Sequence, residues 1–407
     1  MARFLALAYV ALVAMAAPAN LPLPDPLTCS DGSKVRDAKT WNERRRPELL
    51  ALFEDQVFGK TPATELPQRT SRVVVDPKAL GGKAIRKQVT LYFSELDSGP
   101  QLHLLLYLPA KAGGRVPVFV GLNFSGNQSV NTDPGILSND VWLKDPGGSG
   151  KWIQLPPDDR THGSAAASWP VEKIIARGYG VATAYYFDLE PDFADGMSHG
   201  IRPLFPDPEK WSAIGAWAWG LSRMADYLRN DRNVDPDRMA VIGHSRLGKA
   251  ALWAAAQDGR FAMVISNESG KGGASPMTRR EGESIEHLNT AFPNWFCPNF
   301  KQYTGHPEKL PVDGNELAAL IAPRLLYIAS AEGDRNSDPA GEFLSAVSAG
   351  RVYELLGKKG LGTNQMPPVN QPIMHDIGYH IRAGAHDLTA FDWDQYLAFA
   401  DIHWGKQ

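Results

Sequence analysis

Ser245 lies in "VIGHSRLGKAA", with Gly243 two residues before it and Gly248 three after. A serine hydroxyl attacks a carbonyl only when a base removes its proton. The hydrolase turn that presents such a serine normally reads G-x-S-x-G, and Leu247 holds the second glycine position here. Gly243 supplies the small residue before the turn, so the close contact of the following helix has to be made at Gly248. A helix-capping serine is the other use of such a position. The base must be an imidazole from later in the chain. His386, in "AGAHDLTAFDW", follows an apolar segment and precedes the last helical pattern. His375 and His380 are its rivals, His403 falls within that helical pattern, and His244 is expected to point away from Ser245. An acid must orient the imidazole and stabilise its charged form. Glu268, in "FAMVISNESG", and Asp334, in "IASAEGDRNSDP", each follow an apolar run, and residue chemistry alone does not separate them.

These residues need a scaffold that brings the ends of several strands together. "SRVVVD", "IRKQVTLYF" and "LHLLLYLPA" alternate as antiparallel strands do. "VPVFVGLNF" is a nearly continuous apolar run, as in a strand buried on both faces. From there strands and helices alternate: "WPVEKIIARGYG" is a helix closed by Gly178, "VATAYY" a strand, "WSAIGAWAWGLSRMADYLRN" a long helix and "MAVIGHS" a strand. That order predicts an α/β fold: a mostly parallel sheet covered on both faces, begun by antiparallel strands. Such sheets carry their chemistry at the C-terminal ends of the strands, which is where Ser245, Glu268 and Asp334 fall. The irregular stretches 125–168, 187–208, 270–313 and 356–376 are expected to form loops over one end of the sheet. Loops this long are uncommon unless they serve function.

The 407 residues, 43% of them hydrophobic, suffice for a large core. With 42 basic and 45 acidic side chains and no run of like charge, nothing suggests a nucleic-acid partner. Arg3 precedes an apolar run, Phe4 to Ala17, and Ala14-Met15-Ala16 or Ala17-Pro18-Ala19 offers a cleavage site. Residues 1–19 therefore read as a secretory signal peptide, and 20–407 as one catalytic domain, secreted or periplasmic, with no membrane span. Cys29 and Cys297 are the only cysteines; they either pair once exported or remain two thiols. No Cys/His spacing suggests a metal site.

Together these segments resemble the glucuronoyl esterases, carbohydrate esterase family fifteen, especially the bacterial members. The resemblance runs from "VPVFVGLNFSGN" to the C-terminus. Its most specific pieces are "WSAIGAWAWGLSRMADYL", "VIGHSRLGKAALWAAAQDGRFAMVISNESGKGGA", "RREGE", "FPNWFCPNF" and "AGAHDLTAFDW". That family's motif is G-x-S-R-x-G-K, matched by Gly243, Ser245, Arg246, Gly248 and Lys249. The resemblance implies the α/β-hydrolase fold, a three-layer sandwich, with Ser245 as nucleophile and His386 as base. It favours Glu268 as the acid, with Asp334 supporting or replacing it. It further implies that Arg246 joins the oxyanion hole and that Lys249 and Glu283 hold sugar hydroxyls. Glu283 has a plainer use as a salt-bridge partner of Arg279 or Arg280. Many bacterial relatives carry Trp two residues after the second acid; Asn336 stands there, so sugar stacking is expected to be weaker. Trp295 is a candidate to line the substrate site, although core packing is the simpler use of it and of Phe296.

The implied substrate is the ester between 4-O-methyl-glucuronic acid of glucuronoxylan and a lignin alcohol. Hydrolysis would pass through a glucuronoyl-serine, in a monomer, with no metal or organic cofactor. Another carbohydrate esterase, such as an acetyl-xylan esterase, is the alternative enzyme. A non-catalytic carbohydrate-binding relative with a relic site is the alternative of a different class.

Overall fold

The computed structural model describes residues 22–71 and 73–405; the expected signal peptide lies outside them. The N-terminal helical segment holds α1 (Ala38–Thr40) and α2 (Arg46–Phe53), and its Trp41, Leu49 and Phe53 sink into the core. β1 (Arg69–Thr70), β2 (Val74–Lys78), β3 (Ala84–Tyr92) and β4 (Gln101–Pro109) follow, with the single turn α3 (Ala79–Gly82) between β2 and β3. All their pairings are antiparallel, as the alternation requires. β5 (Val116–Asn123), buried along its whole length, starts the parallel part.

Next come the separate hairpin β6 (Val141–Lys144) and β7 (Trp152–Leu155), then α4 (Val171–Ala176), β8 (Gly180–Tyr185), α5 (Ala213–Asn230) and β9 (Val234–His244). α6 (Arg246–Gln257) leads to β10 (Phe261–Asn267), and α7 (Ile285–Ala291) with α8 (Gly314–Ala319) leads to β11 (Leu325–Ala331). α9 (Pro339–Leu355), β12 (Ile373–Met374), β13 (Ile377–Arg382) and α10 (Ala390–Trp404) complete the described chain. The main sheet has eleven strands, with β2 on β3 and the rest in the order β1-β3-β4-β8-β5-β9-β10-β11-β13-β12. From β8 to β13 every pairing is parallel.

Alternate residues of a strand face opposite sides of the sheet, and here each side has its own core. Val118 and Val120 of β5 join Trp217 and Trp253 on one side. Phe119, between them, meets Tyr179 and Trp393 edge-on at 5.5 and 5.4 Å on the other. Burial of aromatic rings on both faces locks the sheet, and removing one such ring costs about 3–5 kcal/mol. α5 begins where Ser212 accepts from Gly215 N, so its apolar face is delivered in register to the sheet.

Three of the four long loops leave the C-terminal ends of β5, β8 and β10, where they were expected. The fourth is different: 356–376 runs along the sheet's outer edge, where Asn370 N donates to Ile381 O and β12 pairs with β13. A loop that enters a parallel strand starts from the opposite pole; this one climbs the edge and reaches the other end only at Asn370, whose Oδ1 accepts from Ala383 N. Cys29 and Cys297 are both buried and unpaired, so the disulfide alternative does not hold. Among the described residues no helix is long and apolar enough to cross a membrane.

Candidate active site

Ser245 sits between β9 and α6 with φ 56° and ψ −128°, a backbone region costly for any residue with a side chain. The neighbours impose it. A Cβ on Gly243 would lie 2.0 Å from the Leu247 carbonyl oxygen, and one on Gly248 would lie 2.9 Å from Ser269 Cβ. Position 247 therefore needs no glycine, because Gly248 makes the helix's close approach to β10. Ser245 N donates to Asn267 O at 2.9 Å, tying the bend to the next strand.

His386 is carried on the loop between β13 and α10. Its Nδ1 lies 2.6 Å from Asp334 Oδ2 and 3.1 Å from Glu268 Oε2. The structure thus brings both candidate acids to one nitrogen. They are not equivalent. Asp334 also accepts from Ser337 N, and these bonds outweigh its burial to hold the carboxyl at about 2. Burial pushes Glu268 up to about 7, against the hydrogen bond from His386 and the charge of Arg382. Burial alone would lower the His386 imidazole, but the two carboxylates carry it up to about 9. Asp334 makes the shorter contact, whereas the family resemblance favours Glu268.

Arg382, which the sequence reading did not single out, organises this region. It is buried and bridges Glu268 Oε1 at 2.5 Å and Asp392 Oδ2 at 2.9 Å. Its guanidinium also donates to the carbonyls of Ala383, Ala385 and Asp387, so it gathers the loop that carries His386. Asp387 N donates back to Glu268 Oε2. The only sequence signal was an arginine at the end of a strand that is mostly apolar.

His244 does not point away. Its ring centroid lies 4.4 Å from that of His386, and its Nδ1 meets Asn267 Oδ1 at 2.5 Å. Burial lowers its imidazole to about 4, so the ring is neutral. The rival histidines are used elsewhere. His380 is fully buried between Asp392 and Tyr327, and His375 bonds Leu361 O beside the outer edge of the sheet. His403 Nε2 lies 3.1 Å from His375 O. Ligand atoms of His244, Glu268 and His386 come within 4.8 Å of one another, enough to hold a cation. Each residue already has a protein partner, namely Asn267, Arg382 and Asp334, which suits proton transfer better than ligation.

On the other flank Arg246 meets Asp192 Oδ2 at 2.5 Å, and its guanidinium lies 4.8 Å from the Trp295 ring and 5.5 Å from Phe292. Asp192 accepts Trp295 Nε1–H at 2.7 Å, which fixes guanidinium and indole together. Its loop, "EPDFADG", offered no sequence pattern that marked it. Arg246 Nε is buried without a partner among the described residues. Trp295 itself is only 2% exposed and stacks on Phe292 at 3.8 Å. The expectation that it lines the substrate site is corrected: with no open face it is a platform beneath Arg246. Phe296 is buried as well.

Lys249 is 3% exposed, donates to Ser269 O at 2.7 Å and stands 4.0 Å from Glu283 Oε2. Arg279 is taken by Asp338 and Glu281, so Glu283 faces Lys249 rather than Arg279. Glu283 N donates to the carbonyl of exposed Asn336. Asn336 is therefore the backbone neighbour of Glu283.

The family model for fungal glucuronyl esterases matches residues 200–357, the stretch that holds Ser245, Glu268, Glu283 and Asp334. A glucuronoyl esterase structure from Solibacter usitatus is 50% identical with a TM-score of 0.91, covering 95% of this chain and 99% of that one. A carbohydrate esterase from an unknown prokaryotic organism is 47% identical over 391 residues, 94% of this chain and 89% of the relative. A 4-O-methyl-glucuronoyl methylesterase of Wolfiporia cocos is 30% identical over 382 residues, 87% of this chain and 82% of the relative.

Proposed function

The chain belongs to the glucuronoyl esterases of carbohydrate esterase family fifteen, and we propose that Ser245 and His386, with Asp334 and Glu268, perform its hydrolysis of 4-O-methyl-glucuronoyl esters. The enzyme is a carboxylic ester hydrolase. The observation that carries the assignment of residues is the imidazole of His386, held at Nδ1 by Asp334 and packed on the residue next to Ser245.

His386 Nε2 takes the proton from Ser245 Oγ as that oxygen attacks the uronoyl carbonyl. The oxyanion receives the backbone N–H of Arg246, at the start of α6, and the part-exposed guanidinium of the same residue adds its positive charge. Donors fixed before the reaction need no reorganisation, and one of them is worth about 10²–10³ in rate. The alcohol leaves with the proton from His386. Water then repeats the sequence on the glucuronoyl-serine and frees the acid. Asp334 is the main partner of the imidazolium, because its contact is shorter and its carboxyl stays ionised. Glu268 shares its charge with Arg382 and acts second. Glu283 accepts from a sugar hydroxyl, and buried Lys249 sets the field behind it.

The substrate is the ester linking glucuronoxylan to a lignin alcohol, cleaved by a monomer in which 20–407 form one catalytic domain. Export rests on the apolar run Phe4 to Ala17; sequencing the N-terminus of the mature protein tests it. Hydrolysis of benzyl glucuronate beside acetylated xylan tests the reaction. Turnover of the uronate ester, reduced at least about 10⁴-fold by Ser245→Ala, is expected. Release of acetate alone would replace this reading with an acetyl-xylan esterase, and wild-type turnover by Ser245→Ala would make the elbow idle.

A further inference from the structure

At the pole of the sheet that carries the active site lies a hollow that the hydrolysis does not use. It is a cavity of about 740 Å³ between the start of β4, the hairpin β6–β7 and the loop after β8. Its size falls within the roughly 300–1,000 Å³ of ligand pockets. The hairpin register places Trp142 directly opposite Gln154, so both side chains stand on one face, and both line this cavity. Gln101, Asn139 and Asp140 line it from the neighbouring segments, and Asp188 and Phe187 close it on the side of β8.

The lining has a definite chemistry. It contains no lysine or arginine. The side chains of Gln101, Asn139 and Gln154 make no hydrogen bonds to protein among the described residues, so their amides are available to a ligand. Asp188 accepts His103 N–H at 3.0 Å through Oδ2. Burial raises its carboxyl to about 7, where it can both donate and accept. The Trp142 ring is half-buried and flanked by His199 at 4.8 Å and Phe193 at 5.3 Å. An aromatic wall with amides and carboxyls, but without cations, suits a neutral chain of hydroxyl-rich rings and disfavours an anion.

The cavity lies at the same pole of the sheet as the reacting centre, because the loops that line it leave β5 and β8 at the ends where Ser245 leaves β9, and its wall is packed to that centre. Rings run from His386 to His244, Phe124, Tyr186 and Phe187, with no step longer than 6.2 Å. The geometry points to a subsite for the neutral main-chain sugars of the polysaccharide whose acidic branch is cleaved at Ser245. This rests on the esterase reading for the identity of the polymer, but the binding itself does not.

The test is binding of unbranched xylohexaose and, separately, cellohexaose to the wild-type protein by titration calorimetry. It is paired with kinetics on benzyl glucuronate and on an ester of polymeric glucuronoxylan. Binding of at least one neutral oligosaccharide is expected, and whichever arm binds identifies the chain. Trp142→Ala should weaken it by roughly tenfold or more and raise KM on the polymer, with kcat/KM on benzyl glucuronate unchanged. Trp142→Phe should restore part of the affinity, and Asn139→Ala with Gln154→Ala keeps the test open if Trp142→Ala fails to fold. No binding by the wild type, or full binding by all these variants, overturns the subsite. An equal loss on the small ester shows that the hairpin merely supports the active site and also overturns it. If Ser245→Ala kept full turnover while the Trp142-dependent binding held, only the esterase assignment would fall.

Discussion

The two halves of the active site are built by different physics. The elbow is held by close packing: the Ser245 bend survives because Gly243 and Gly248 let the Leu247 carbonyl and Ser269 approach where a Cβ would clash, and Ser245 N is tied to Asn267 O. The base loop is held by attraction. Residues 383–387 are exposed, and hydrogen bonds keep them in place: buried Arg382 collects three of their carbonyls and two carboxylates, Gly333 N donates to Gly384 O, and Ala383 N donates to Asn370 Oδ1. A nucleophile must be fixed to within fractions of an ångström, and steric walls do that at any pH or salt. The base must change its charge during each cycle, and its supports set how readily it does so. The contrast predicts that damage to the elbow is absolute, whereas damage to the base loop is graded and pH-dependent.

Gly243→Ala should produce the largest effect. The new methyl would overlap the Leu247 carbonyl oxygen, so either α6 shifts or the bend opens. Turnover should fall by at least about 10⁴, as it does when a member of the triad is removed, with the same loss at every pH and ionic strength. A pH-rate profile measured beside the wild type checks this, and a loss recovered by changing pH would show the elbow to be electrostatically tuned after all.

Asp334→Asn comes next, with a loss of roughly 10³–10⁴ in kcat. Its shape matters more than its size. In the wild type the two carboxylates hold the His386 proton up to about 9, so the neutral base becomes more abundant, and kcat/KM rises, as pH climbs toward that value. Without the Asp334 charge the imidazole gives up its proton at lower pH. The rising limb should therefore move to lower pH while the plateau falls. An unmoved limb would mean that Asp334 does not bear on the base.

Arg382→Met leaves Glu268 and Asp392 buried without their cation, which typically costs about 3–5 kcal/mol. Urea unfolding should show that loss, and turnover should fall chiefly through a misplaced His386. If the variant were as stable as the wild type, the base loop would be held by something other than this guanidinium.

This difference also explains what the sequence disclosed. The elbow was legible because steric demands appear as residue types: Gly243, Ser245 and Gly248 stand at fixed spacing on a strand entering a helix. The sheet was legible for the same reason, since β5 is apolar from Val116 to Leu122 and strands alternate with helices after it. Arg382, Asp192 and His244 were not. Their roles depend on partners more than fifty residues away or across a loop, and an ion pair leaves no periodic trace. Trp295 was misplaced because an aromatic residue near a site looks the same in sequence whether its face is open or, as here, covered by Phe292 and Arg246. Loop 356–376 was misplaced because its length, but not the pole it starts from, can be read from composition.

Glu268→Gln should have the smallest effect, and it sharpens the comparison most. The amide keeps the size of the side chain, and its one oxygen can still accept from Arg382, while the bond from Asp387 N to the second oxygen is lost. Arg382 retains Asp392, so the loop keeps its tether. What disappears is the second negative charge on His386, whose imidazole should then release its proton at lower pH. The rising limb of kcat/KM moves down in pH, with a loss of only about tenfold at the plateau, since Asp334 still provides the shorter contact. Burial already brings the Glu268 carboxyl up to about 7, so below that pH the wild type itself carries a neutral acid there. The two proteins should therefore converge in rate as pH falls through this range and separate above it. Steady-state kinetics from pH 5 to 10 on a glucuronate ester reads the divergence directly. A loss larger than that of Asp334→Asn would exchange the two acids and make Glu268 the carboxylate on which the base depends.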